Sequence, residues 1–100
     1  MPGYQPISAV AASLKVDEEK LLDFRRKGWI EAVVRNDVVF IASDQRYRAK
    51  YILHLRATKH LNDEQVQLVL SIQRPPYSLS DVDEILKRNA PASTSKNASG

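Results

Sequence analysis

The stretch ISAVAASLKVDEEKLLDFRRKGWIEAVVRNDVVFIA, residues 7 to 42, decides the fold of this chain. It contains two short segments with apolar residues at helical spacing, then a glycine, then two runs of β-branched residues separated by Asn36-Asp37. This pattern predicts two helices joined by a turn and followed by a β-hairpin. The order of elements is that of a winged helix-turn-helix, in which the hairpin is the wing.

The two helices have recognisable ends. Asp17 is a candidate N-cap for helix two, which is predicted at about residues 17–27. Gly28 can adopt the left-handed conformation that ends a helix. The side chains expected to face the core are Ile7, Val10, Ala11 and Leu14 in helix one and Leu21 and Phe24 in helix two.

The hairpin follows directly after this glycine. Trp29 and Ile30 are expected to pack into the core behind helix two. The runs 32–34 and 38–41 are rich in β-branched residues, which favour strands. Asn36-Asp37 is a two-residue connection that accepts the positive φ angles of a tight turn, so we expect a two-stranded wing.

A longer third helix is predicted after the hairpin. Ser43 or Asp44 is expected to cap it, and its pattern reaches about His60. The side chains expected to form its buried stripe are Tyr47, Tyr51 and Leu55, with Ile52 beside them.

Two shorter helices are predicted beyond it. Asn62 and Gln65 form a capping-box pattern at the start of the fourth helix, and the prolines of segment 74–77 must end it. We expect this segment to be a rigid elbow, with Ser78 or Ser80 opening the last helix. The apolar residues of these two helices are Val66, Val69, Leu70 and Ile72, followed by Val82, Ile85 and Leu86.

Composition bounds the class of protein. The chain has 100 residues, of which 43% are hydrophobic, so we expect one small domain at 7–88, between an N-terminal arm at 1–6 and a disordered tail at 89–100. Cysteine is absent, which excludes disulfides and fits a reducing compartment. No signal peptide and no membrane-length apolar run are visible, so a cytoplasmic protein without a membrane partner is expected. The net charge of +3 permits nucleic-acid binding without requiring it.

The chain resembles the MerR-type winged helix-turn-helix family over roughly residues 5–72. The resemblance rests on ISAVA at 7–11, on the hairpin, on DQRYRAKYILHLRATKHL at 44–61 and NDEQVQLVL at 62–70, and on the core residues Val16, Leu21, Phe24, Gly28 and Ile30. It implies a DNA-binding regulator of transcription, with helix two in the major groove of double-stranded DNA and the wing on the phosphate backbone. The basic residues placed to contact DNA are Lys20, Arg25, Arg26, Lys27, Arg35, Arg46, Arg48 and Lys50.

Helix two departs from this family in a way that favours a different partner. A MerR-type helix two usually carries an arginine and an aromatic residue where this chain has Leu22 and Asp23. Three acids, at positions 17–19, also occupy the first turn, where they complement the helix dipole but repel phosphates. The alternative is therefore a protein-binding face, formed by Glu18, Glu19, Leu22, Asp23 and Arg26.

The missing dimerisation helix opens two alternatives to a MerR-type regulator. MerR-type regulators pair through a long C-terminal helix, whereas SDVDEILKR at 80–88 is too short for a coiled coil. The segments DEEKL at 17–21 and GWIE at 28–31 resemble the CbpM-type modulators of J-domain co-chaperones, which implies a chaperone modulator that binds a J-domain. A second alternative is an excisionase-like protein that shapes DNA without a dimerisation helix.

Catalysis finds no support in the sequence. His54 and His60 lie six residues apart on one predicted helix and so face different directions, and the three glycines do not form a phosphate-binding loop. We expect a protein that is not an enzyme, with no catalytic residues, no metal site and no cofactor.

Overall fold

The computed structural model describes residues 3–89, and the predicted tail beyond them lies outside the described residues. The fold is mainly α-helical with a small antiparallel sheet, as the sequence predicts. In chain order the elements are β1 Tyr4–Pro6, α1 Ile7–Leu14, α2 Glu18–Arg26, β2 Val33–Arg35, β3 Val38–Ala42, α3 Ser43–Lys59, α4 Asp63–Ile72, a 3-10 turn Leu79–Asp81 and α5 Val82–Arg88.

The helix-turn-helix formed by α1 and α2 has the predicted ends. Asp17 is the N-cap of α2, although its side chain makes no capping hydrogen bond. Gly28 has a φ of 77°, and the backbone N–H of Trp29 donates to the carbonyl of Phe24 at 2.9 Å. The left-handed glycine therefore turns the chain so that the indole enters the core, where Trp29 is only 2% exposed.

The wing is a hairpin that belongs to a larger sheet. Asn36 and Asp37 both have positive φ, 52° and 64°, as a two-residue hairpin turn requires. The structure adds a strand that the sequence prediction did not include, because β1 pairs antiparallel with β3 and the strand order is β1-β3-β2. Part of the predicted 1–6 arm is thus a strand, which three residues are too few to reveal by alternation.

One hydrophobic core joins the sheet to the helices. Leu21 and Phe24 of α2 are buried in it beside Ile41 of β3, as are side chains of α1, α3, α4 and α5. The fully buried large side chains are Phe24, Leu21, Ile41, Ile52, Leu55, Val10, Val66, Val69 and Val82. No helix within residues 3–89 is both long enough and apolar enough to cross a membrane.

The start of α3 corrects one expectation. Ala42 is the N-cap, and neither Ser43 nor Asp44 caps the helix with its side chain. Instead, the backbone N–H of Ser43 donates to the carbonyl of Gly3 at 2.9 Å. The first donor of α3 is thus satisfied by the backbone beside β1, and Ala42 at the N-cap has no side-chain oxygen that could cap the helix.

Two side chains expected in the core are exposed. Tyr47 of α3 is 45% exposed, and Ile72 of α4 is 42% exposed. Tyr47 stacks on Tyr77 with the ring centroids 5.7 Å apart, so it lies at the edge of the elbow and outside the core. Ile72 lies on the flank of α4, outside the buried side formed by Val69 and Leu70, since the next residue along the chain, Gln73, is again only 9% exposed.

The elbow carries the last helix back over the domain. The Pro75-Pro76 peptide bond is cis, and the ring of Tyr77 stacks on Tyr51 at 4.7 Å. The Tyr51 hydroxyl donates to the Gln73 side-chain oxygen at 2.6 Å and lies 3.0 Å from the Ser78 carbonyl oxygen. The last helix begins at Val82 after the 3-10 turn, so neither of the predicted serines opens it with a capping side chain.

Candidate interaction surface

The outward side of α2 carries more negative than positive charge. Leu21 and Phe24 are buried, which turns Glu19, Asp23 and Arg26 toward solvent. Arg26 Nη2 lies 3.5 Å from Glu19 Oε1 and 3.9 Å from Asp23 Oδ1, so two carboxylates share this guanidinium. Together with the exposed Glu18, these residues form a surface that we call the acidic face of α2: Glu18, Glu19, Asp23 and Arg26.

Leu22, which the sequence analysis placed on the outward face of α2, is only partly exposed. It is half-buried and packs against the margin of the hydrophobic core. Residues three and four positions apart are neighbours on a helix, so Leu22 lies on the same side of α2 as Glu19 and Arg26 but is tilted toward the core. A partner of α2 would therefore meet the carboxylates first and Leu22 only at the rim.

Lys27 closes a polar network that joins three helices. Its ammonium lies 2.5 Å from Asp23 Oδ2 and 3.4 Å from Asp63 Oδ2, and it sits 5.1 Å from the centre of the Trp29 ring. Arg56 of α3 pairs with the same Asp63 and lies 5.4 Å from the centre of that ring. Both cations thus contact the indole while carboxylates hold them in place.

The titration of two network members reflects this geometry. The hydrogen bond from Lys27 lowers the pKa of Asp23 below its ordinary value. The same hydrogen bond raises the pKa of Lys27 above its ordinary value. Each charge therefore stabilises the other, and Lys27 is engaged within the fold rather than presented to a partner.

Two arginines predicted to contact DNA, Arg46 and Arg48, form hydrogen bonds with other residues of the chain. Arg48 donates to the carbonyl oxygen of Trp29 and, at 3.0 Å, to the hydroxyl of Tyr77. Arg46 donates from Nε to Ser13 Oγ at 3.1 Å and so ties α3 to α1. Arg48 in particular links the segment after α2 to the elbow, which is a structural role.

The remaining predicted contacts are exposed but lie apart from one another. Lys20 and Arg25 point about 140° apart around α2, because five residues separate them. Arg35 lies at the end of β2 beside the hairpin turn, and Lys50 lies on α3. These four cations form no ion pair with the residues that the structure describes.

The sequence analysis missed three residues that contact Lys27 or Trp29, namely Gln67, Asp63 and Arg56. Trp29 donates its indole N–H to Gln67 Oε1 at 2.7 Å, and Asp63 and Arg56 complete the surroundings of Lys27. All three lie well over twenty residues away from Lys27 and Trp29 in the chain. No local sequence pattern predicts these contacts, because only the packing of α3 and α4 near α2 brings the residues together.

The predicted histidines do not come together with other ligands. His60 is the left-handed C-cap of α3, with a φ of 56°, and His54 is exposed one and a half turns earlier. Among residues 3–89, no group of three or more His, Cys, Asp or Glu side chains is placed to hold a metal ion.

The comparisons with known proteins add no assignment: neither a family profile, nor a curated protein, nor a solved structure matches this chain.

Proposed function

We propose that this chain is a winged helix-turn-helix module that binds a protein through the acidic face of α2, with a J-domain co-chaperone as the partner. The observation that carries the proposal is the arrangement of carboxylates on this face. Glu18 and Glu19 are exposed, and Arg26 is already shared between Glu19 and Asp23. Such a surface complements a basic protein surface and repels a phosphate backbone.

The intramolecular contacts of the residues predicted to bind DNA also support a protein partner. Lys27 and Arg48 make contacts within the fold, and Arg26 faces two carboxylates. A helix that reads base edges needs donors directed outward from its exposed side. The exposed side of α2 presents carboxylate acceptors instead. The class of partner, a J-domain co-chaperone, comes from the resemblance to CbpM-type modulators. The absence of cysteine fits a module that acts in the reducing cytoplasm.

Titration calorimetry with a purified J-domain co-chaperone from the same organism tests the proposal. We expect Glu19→Lys to weaken binding by about tenfold or more, which is roughly 1.4 kcal/mol. Glu64→Lys is the matched control, because Glu64 is an exposed acid in the first turn of α4 and experiences the same helix dipole. Absence of binding by the wild-type chain, or equal losses in the two variants, would count against the acidic face.

Binding to double-stranded DNA is the second candidate. It is favoured by the exposed cations Lys20, Arg25, Arg35 and Lys50, which have no carboxylate partner in the described part of the chain. In this case the module regulates transcription or, like an excisionase, bends DNA. Titrations of duplex DNA at several salt concentrations distinguish this candidate, because phosphate contacts give an affinity that falls steeply with salt.

The same variant separates the two candidates by the sign of its effect. Glu19→Lys removes an acid and adds a cation, so it strengthens DNA binding but weakens the binding of a basic protein surface. Loss of J-domain binding without any affinity for duplex DNA at low salt supports the protein partner. Salt-sensitive DNA binding that improves in Glu19→Lys supports the second candidate.

A further inference from the structure

One face of the three-stranded sheet does not pack on the hydrophobic core formed by the described residues. In antiparallel pairs, directly opposite residues project to the same face. The register pairs Pro6 with Phe40 and Val33 with Phe40, so these three residues form one row across the sheet. Parallel rows pair Tyr4 with Ala42 and Arg35 with Val38 on the same face.

The opposite face of the sheet is the one that packs on the core. Ile41 is 1% exposed, and Val39 packs against the core cluster. In contrast, Tyr4 is 38% and Val38 41% exposed, and Phe40 is not among the described residues that pack against the core. We call the uncovered surface the outer sheet face; its apolar members are Tyr4, Pro6, Val33, Val38 and Phe40.

Charges of opposite sign lie at the two ends of this face. Arg35 lies at the end next to the hairpin turn, and Glu31 and Asp44 lie at the other end. Glu31 and Asp44 line a single groove of about 160 Å³ together with Tyr4 and Val33. None of the three charged residues forms an ion pair within residues 3–89.

We propose that the outer sheet face binds a second copy of this chain to form a symmetric dimer. Val33 lies two residues after Glu31 and two residues before Arg35. Consider a twofold axis that lies between the two stacked sheets, over the Val33–Phe40 row and parallel to that row. This axis brings Arg35 of one protomer opposite Glu31 of the other. Val38 then lies over Ala42 of the second copy, and the two sheets stack about 10 Å apart, as sheets do in sandwiches.

The charges select this arrangement over the other symmetric one. A twofold axis parallel to the strands would keep Arg35 of both copies at one end of the interface and the acids of both copies at the other end, so the opposite charges would not meet. A face with a cation at one end, acids at the other and apolar residues between them is complementary to itself only when it is reversed. This self-complementarity is the reason to assign the face to a second copy rather than to another protein.

The size of the face sets the strength of the association. Stable interfaces bury about 800 Å² per partner, and five apolar residues with two charged ends offer less than that. The dimer therefore dissociates on dilution. The outer sheet face shares no residue with the acidic face of α2, so the inference does not rest on the proposed function, and the partner-binding face stays open in the dimer.

Sedimentation equilibrium of the full chain, up to the millimolar range, tests the dimer. We expect the wild-type chain to associate and Val38→Lys to weaken association by about tenfold or more, because the lysines would be buried against the partner sheet. Val34→Lys is the matched control: Val34 is 50% exposed and lies on the same hairpin, but on the opposite face. It should associate as the wild type does.

A charge exchange tests the direction of the two sheets and does not depend on the apolar variant. Arg35→Glu and Glu31→Arg should each weaken association, whereas the double variant should restore it toward the wild-type level. Circular dichroism checks that every variant is folded. A wild-type chain that stays monomeric throughout, equal effects of Val34→Lys and Val38→Lys, or a double variant weaker than both single variants would overturn the proposal.

Discussion

Lys27 shows at the scale of one residue how a basic side chain can be used by the fold. Its sequence position, in the last turn of α2 among other cations, is typical of a DNA contact or of a charge that complements the helix dipole. The structure places it between Asp23 and Asp63 and above the ring of Trp29. What the residue does is therefore decided by neighbours from α4 and by the indole.

The lowered pKa of Asp23 leads to a prediction for acid pH. A carboxyl whose pKa is lower in the folded state stabilises the fold above its ordinary pKa of 3.8, and this stability is lost as pH falls through the folded value. Asp23→Asn should thus be less stable than the wild type at neutral pH, and the difference should shrink in acid. Urea unfolding across this pH range measures it. Asp37→Asn, at the exposed hairpin turn, is the control and should not show this pattern.

Tyr51 leads to a prediction for alkaline pH. Burial raises its pKa to about 12, from an ordinary value of 10, because the buried site disfavours the phenolate. The resulting stability is complete below pH 10 and is lost as pH rises through 12. Tyr51→Phe should be less stable at neutral pH by about 1 kcal/mol, since the Gln73 oxygen loses one of its two donors and keeps the Ser78 backbone N–H. It should also be less sensitive to alkali.

Unfolding by urea at neutral and alkaline pH measures this difference. The control is Tyr4→Phe, because Tyr4 is partly exposed on the outer sheet face and makes no comparable buried hydrogen bond in the described residues. If Tyr51→Phe kept the alkaline sensitivity of the wild type, another group would be responsible for it.

At the scale of elements, two of the predicted N-caps, Asn62 and Asp17, differ in what their side chains do. Asn62 accepts a hydrogen bond from the backbone N–H of Gln65 at 2.9 Å, and the Gln65 side chain accepts one from the Asn62 backbone at 2.9 Å. Asp17 occupies the N-cap position of α2 without any such bond. The sequence pattern identified both helix starts, but only the structure shows which cap is stabilised by its side chain.

We therefore expect alanine substitutions at the two N-cap positions to lower the free energy of unfolding by different amounts. Asn62→Ala should destabilise the fold by about 1 kcal/mol, because a first-turn N–H of α4 loses its acceptor. Asp17→Ala should cost clearly less, since it removes only a favourable charge near the helix N-terminus. Chemical denaturation of the two variants measures the difference; equal losses would mean that Asp17 does cap its helix in solution.

The elements also show how far the fold could be predicted. Gly28 and Asn36-Asp37 were correctly expected to take positive φ, because these residue types and their spacing determine local backbone geometry. β1 was missed because its pairing with β3 joins residues 34 or more positions apart in the chain. The exposure of Tyr47 was also not predictable, since its helical spacing is that of a buried residue. Its ring stacks on Tyr77 of the elbow instead of packing in the core.

At the scale of the whole molecule, α5 is part of the single core. Val82 is fully buried in the cluster that contains residues of α1, α2, α3 and α4. Val82→Ala should therefore lower the free energy of unfolding by about 2 kcal/mol through lost contacts and the space left behind. The expected result is one cooperative transition with a lower midpoint.

Ile72→Ala is the control for this prediction. Ile72 also belongs to the C-terminal half of the chain, but its side chain is 42% exposed, so its truncation should have a much smaller effect. A separate early transition in Val82→Ala would indicate instead that α5 folds independently of the rest of the core.

The sequence by itself determined the order of helices, turns and hairpin, because periodicity, capping patterns and residues that accept positive φ act within a few positions of the chain. It also identified the acids and cations of α2. Only the tertiary structure decided which of those charges are available. Asp63 reaches Lys27, Arg56 reaches Trp29, and Tyr77 reaches Arg48, through packing between distant segments. No local pattern encodes such contacts, since they depend on how complete helices fit together.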